Sequence, residues 1–99
     1  MILEIARLDI KAGQEAEFEA GVAAAQPLFE RAKGCHGLAI RRSVEKPSRF
    51  WLLIRWDTVE NHTKDFAGGA DFQAFLKLVG GCFAAPPQVD HAEETWTGF

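Results

Sequence analysis

The chain has no tyrosine, one methionine and only two cysteines. It has no excess of basic residues and no hydrophobic run long enough to cross a bilayer. Each shortage excludes something. Eleven Lys plus Arg stand against fourteen Asp plus Glu, for a net charge of −3, so the electrostatic footprint that a phosphate backbone demands is missing and no nucleic-acid partner is expected. Cys35 and Cys82 lie far apart and outside any CxxC or Cys/His ligand spacing, which fits buried, reduced thiols better than a disulfide scaffold. His36 and His91 have no metal-site spacing with anything near them, so no metal is expected. The opening residues MILEIARLDIK bring in Glu4 and Arg7 before a signal-peptide core can form. No apolar stretch approaches the roughly 18 to 20 residues of a membrane span. A cytoplasmic protein with no membrane partner is expected.

What is present is apolar and aromatic. Hydrophobic residues make up 47% of the 99, with eight Phe and three Trp. A chain of this size forms one domain, here residues 1–99, and buries roughly 60 to 70% of the surface its unfolded form exposes, so it needs no staple to fold. The aromatic surplus leaves surface for a pocket or a partner subunit.

The stretch FWLLIRWDTVENH, from Phe50 to His62, organises the rest. It begins as an apolar, branched and aromatic run of strand length. It then turns into a helix predicted over Asp57 to Ala67, because Asp57 and Glu60 have capping-box spacing. Strand end and helix start meet where Trp51, Trp56, Arg55, Asp57 and His62 gather, the best candidate for a ligand-facing wall.

Elsewhere, Ile2 to Ile10 alternates with strand period, Ala6, Leu8 and Ile10 against Ile5, Arg7 and Asp9. Gln14 to Lys33 reads as a helix with Phe18, Val22, Ala25 and Phe29 on one stripe. Gly34 is its stop, and Pro27 inside it predicts a kink rather than two helices. Gly37 to Val44 is a second strand. It should pair with the Phe50 strand as a hairpin across Glu45-Lys46-Pro47-Ser48, with Leu38 and Ile40 toward the helix and Ala39 and Arg41 away from it. After Gly68-Gly69 a further helix carries Phe72, Phe75, Leu76 and Val79, ending at Gly80-Gly81. Cys82 to Pro87 is loop. Gln88 to Trp96 is a strand too polar for the middle of a sheet, placed at an edge or reaching a second subunit.

The order βαββαβ gives an α+β, ferredoxin-like antiparallel sheet with helices on one face. Trp51 and Leu53 would then face water in a monomer, so two sheets packing face to face into a homodimer is the simplest repair.

Several stretches carry a resemblance. They are IARLDIKAG, the run Gly34-Cys35-His36-Gly37-Leu38, Arg42-Ser43-Val44-Glu45-Lys46-Pro47, Trp56-Asp57 with the helix after it, Phe66, and Asp71-Phe72-Gln73-Ala74-Phe75. In their sum and order, over residues 3 to 96, the chain resembles the antibiotic biosynthesis monooxygenase family, small proteins that form dimeric α+β barrels. The resemblance implies a homodimer. In enzymatic members it implies oxidation of a small aromatic phenol or quinol by molecular oxygen with no metal or flavin cofactor. Such chemistry needs a base for the phenol proton, a donor for the oxyanion and walls that exclude water. The haem-degrading branch uses an Asn, a Trp and a His. Ala6, Phe66 and Leu76 occupy those places here, which disfavours haem.

His62 is the first choice for the base or polar anchor, since imidazole exchanges protons near neutrality. The alternative is a satisfied helix histidine with no catalytic part. Trp51, Phe66, Phe72, Phe75 and Phe83 could hold a planar substrate, although aromatic stripes at helical spacing are more often core. Arg41 could steady an anionic oxygen, or simply pair with an acid on a sheet face. The competing function is a non-catalytic dimeric barrel that binds a small apolar ligand or a partner.

Overall fold

The structure, a computed structural model, describes residues 1–99. The elements run β1 (Ile2–Asp9), α1 (Glu15–Glu30), β2 (Cys35–Arg42), β3 (Arg49–Trp56), a π-helical turn (Asn61–Phe66), α2 (Ala70–Val79), a 3-10 turn (Gly80–Cys82) and β4 (Gln88–Glu93). The four strands form one antiparallel sheet in the order β2-β3-β1-β4. The predicted hairpin of β2 and β3 is present and the polar last strand lies at an edge. This is the ferredoxin-like α+β arrangement, open at both edges within one chain. No helix is long and apolar enough to cross a membrane.

Alternation decides which face is covered. Glu4, Ala6 and Leu8 of β1 and Phe50, Leu52, Ile54 and Trp56 of β3 point to the helices and are buried. Phe18, Val22, Ala25 and Phe29 of α1 pack down on them, with Phe66, Phe75 and Val79 from the second helical region. Phe18 meets Phe50 at 5.0 Å between ring centroids, and Phe29 meets Phe66 at 4.8 Å and Phe75 at 5.1 Å, within the range where aromatic pairs add to plain area burial. Leu38 and Ile40 lean on the same core, as expected. On the opposite face, cross-strand registry aligns Ile5, Leu53 and Ala39 in one row and Arg7, Trp51 and Arg41 in the next. No helix covers that face.

Two glycines set close approaches. A Cβ on Gly21 would lie 2.8 Å from the Leu78 carbonyl oxygen, so α1 and α2 touch there through bare backbone. Gly34, with φ +77°, takes the left-handed region in the turn after α1, which already ends at Glu30 with Arg31 as its cap rather than at the expected Lys33-Gly34 stop, and the Gly34 backbone abuts the Asn61 amide.

Pro27 does not divide the helix. α1 continues to Glu30 because Pro27 and Ala23 both lie on its solvent side, where water can serve the carbonyl left without a partner. Three expectations need correction. The stretch after β3 is not a regular helix from Asp57 to Ala67. After a short helical lead-in it winds as a π-helical turn, with the Ala67 amide donating to the His62 carbonyl five residues back. Its cap is not Asp57 with Glu60. Thr58 and Asn61 form the reciprocal pair, the Thr58 amide donating to Asn61 Oδ1 at 3.1 Å and the Asn61 amide to Thr58 Oγ1 at 3.2 Å. Asp57 instead pairs with His36 at 2.8 Å. The last strand also stops at Glu93, leaving Trp96 outside the sheet.

Candidate active site

The predicted site residues do not form one group. Trp51 and Arg41 stand side by side on the uncovered sheet face, and Arg41 forms no ion pair. His62, Phe66, Phe72 and Phe75 lie on the helix side. Phe66 and Phe75 are core, buried among Phe29, Trp56 and each other's neighbours, while Phe72 sits half-buried with its ring edge-on to Phe66 at 5.9 Å. Phe83 bridges to Ile10 at the far end of β1, roughly 20 Å along the strand from Glu4 at about 3.3 Å per residue. Of the seven predicted residues only Phe66 lines a principal concavity, one of about 360 Å³ beside Arg31, Asp65 and Asp71. A larger cavity of about 500 Å³ lies between α1 and β2, walled by Phe29, Cys35, His36 and Leu38.

Around His62 the structure assembles something the sequence reading missed. Its ring stacks on Trp56 at 5.7 Å and 16° between planes. Nε2 lies 3.4 Å from Glu4 Oε1, and Nδ1 lies 2.8 Å from Nε2 of His91 on β4. Trp56 Nε1–H donates to the same Glu4 oxygen at 2.9 Å. Each element contributes one group: Glu4 from the core phase of β1, Trp56 from the end of β3, His62 from the π-helical turn, and His91 from edge strand β4 directly opposite Glu4. The signal available in the sequence was Glu4 itself, a carboxylate in phase with Ala6, Leu8 and Ile10.

Electrostatics follow from enclosure. Burial pushes the Glu4 carboxyl up to about 7, against a smaller downward pull from the Trp56 hydrogen bond. Burial lowers the His62 imidazole to about 4, helped by the neighbouring His91 charge. Near neutrality the pair is therefore a neutral imidazole beside a carboxyl poised between its two forms. Because the two nitrogens of His62 serve different partners, the cluster does not converge on one point, and no group of three such side chains is placed to hold a metal ion. What it can do is take up, hold and pass a proton in a site sheltered by aromatic rings.

Comparison with known proteins gives this geometry a context. A family model described as antibiotic biosynthesis monooxygenase matches residues 1–78. The uncharacterised protein YczJ of Bacillus subtilis strain 168 is 32% identical over 94 residues, covering 95% of this chain and 99% of that protein. A crystal structure from Bordetella bronchiseptica, described as a candidate antibiotic biosynthesis monooxygenase, is 56% identical and superposes with a TM-score of 0.95 over 96% of this chain and 97% of its own. SnoaB from Streptomyces nogalater, a cofactor-independent oxygenase solved as a point mutant, is 14% identical. It shares the fold at a TM-score of 0.80 over 97% of this chain and 94% of its own.

Proposed function

The chain belongs to the antibiotic biosynthesis monooxygenase family, and from that premise we propose that it is a cofactor-independent monooxygenase acting on a small aromatic phenol or quinol. The observation that carries this reading is His62, a neutral, largely enclosed imidazole stacked on Trp56 and tied into a carboxyl partner. Removing the hydroxyl proton turns the ring into an electron-rich phenolate. The phenolate passes an electron to O₂, and the radical pair recombines at a ring carbon. One oxygen atom stays on that carbon as a carbonyl; the other leaves as water with the two substrate hydrogens. Substrate supplies all the electrons, so neither metal nor flavin is required, in keeping with the description of SnoaB as cofactor-independent. The protein's part is proton removal and exclusion of bulk water. In this proposal a second copy covers the Trp51 and Leu53 face, on the side of the sheet opposite His62, and removes that apolar surface from water.

Oxygen uptake with a panel of quinols, compared between wild type and His62→Ala, tests it. Uptake that falls at least about 100-fold in the variant is expected. No uptake with any quinol, or an unaffected variant, contradicts it.

A second reading has an observation in its favour: Phe18, Phe29, Phe50, Phe66 and Phe75 fill the layer between helices and sheet, and His62 lines none of the principal concavities. A non-catalytic barrel that binds a small apolar ligand in the α1–β2 cavity would bind an apolar fluorescent probe stoichiometrically without consuming oxygen.

A further inference from the structure

Both nitrogens of His62 are engaged, one by Glu4 and one by His91, so the imidazole offers no free lone pair to a substrate. Glu4 does have a free oxygen. Trp56 and His62 both address Oε1, and Oε2 forms no hydrogen bond within the chain. The one fully enclosed polar side-chain atom without a partner is Arg7 Nε, so Oε2 keeps a trace of accessible surface although Glu4 as a residue is 4% exposed and lines none of the principal concavities. At the other end, His91 is half-buried on the outermost strand and reaches solvent.

We propose that Glu4 is the catalytic base that meets the substrate hydroxyl, and that His62 and His91 form a relay carrying its proton from the sheet interior to water. This rests on the oxygenase reading for the identity of the substrate, but the relay itself is a property of the free protein. The hydroxyl gives its proton to Glu4, and Glu4 gives a proton to His62 Nε2. His62 releases its Nδ1 proton to His91 Nε2, and His91 loses its Nδ1 proton to water. Each imidazole returns by tautomer exchange, Glu4 and both histidines end in their starting charge states, and the negative charge left behind sits on the phenolate until it departs with the hydroxide that becomes product water. The groups facing Glu4 are Trp56 from β3, His62 from the π-helical turn and His91 from β4. The Cys35 thiol of β2, pushed up chiefly by burial, also feels the Glu4 charge. No lysine or arginine lowers the Glu4 pKa, which suits a base that must release its proton as readily as it takes it.

The test uses the intact protein with ¹⁵N-labelled histidine. In wild type, the ring signals of His62 and His91 should share a titration step near neutrality that vanishes in Glu4→Gln. With a quinol substrate, Glu4→Gln should lower kcat about 100-fold or more and remove the acid limb of the pH profile. His91→Ala should lower kcat about tenfold in dilute buffer with KM unchanged, and added imidazole should restore it. A purely structural histidine would give no such rescue. Shared titration without oxygen uptake supports the relay and overturns the oxygenase reading. Oxygen uptake that survives in Glu4→Gln, or histidine signals indifferent to that substitution, overturns the relay and leaves the oxygenase standing.

Discussion

Nδ1 of His62 lies 2.8 Å from Nε2 of His91, so one ring must donate where the other accepts and neither tautomer is free to change alone. A π-helical turn and an edge strand, far apart in sequence, are locked by a single proton. With Glu4 on the other side of His62, the pair makes a buried, titratable line across the end of the sheet.

That line gives stability an unusual pH dependence. Glu4 has its pKa raised from 4.5 to about 7, so the folded state holds the proton more tightly and stability falls as pH rises across that window. His62 has its pKa lowered from 6.5 to about 4, so its contribution is present above 6.5 and is lost as pH falls toward 4. Each slope amounts to about 3 kcal/mol in total, and between pH 4.5 and 6.5 they oppose each other. Urea denaturation should give a nearly flat wild-type profile there. In Glu4→Gln, stability should climb with pH over that range, and in His62→Gln it should decline.

Trp56→Phe removes the indole N–H that partly offsets the cost of an ionised Glu4. The Glu4 carboxyl should titrate higher still, measured by ¹³C NMR of the side-chain carbon, while the ring continues to fill the core.

Gly34→Ala should be among the most damaging small substitutions. Its φ of +77° alone costs an alanine about 1–2 kcal/mol. In addition, the new Cβ would stand 2.1 Å from Asn61 Oδ1, the atom that caps the turn carrying His62. A fall in Tm of roughly 4–8 °C per kcal/mol is expected for a domain of this size, with disturbed His62 resonances.

Leu53→Asp places a carboxylate in the middle of the uncovered face, in the row with Ile5 and Ala39. Light scattering should show the proposed dimer for wild type and monomer or insoluble protein for the variant. An unaltered dimer would place the interface elsewhere.

Much of this fold was legible because it rests on local patterns. Alternation in β1, the apolar and aromatic run of β3 and the Phe18-Val22-Ala25-Phe29 stripe each predict their element without reference to the rest. The π-helical turn was not legible, since five-residue hydrogen bonding leaves no periodicity distinct from an ordinary helix. Nor was the cap, since the capping-box spacing of Asp57 and Glu60 points one residue too early, and Thr58 pairs with Asn61 instead. The site was half legible. His62 stood out as the imidazole beside the strand end, but its partners are joined to it only by the sheet order that sets β4 against β1. Trp51 and His62 looked neighbourly at a strand-to-helix junction, and strand pleating sends Trp51 to the opposite face from Trp56, on which His62 stacks.

The most direct measurement is a single turnover under ¹⁸O₂ with a quinol that supports oxygen uptake. One labelled oxygen atom in the carbonyl of the product, with the other recovered in water, is the predicted result. Unlabelled product accompanied by stoichiometric hydrogen peroxide would contradict it.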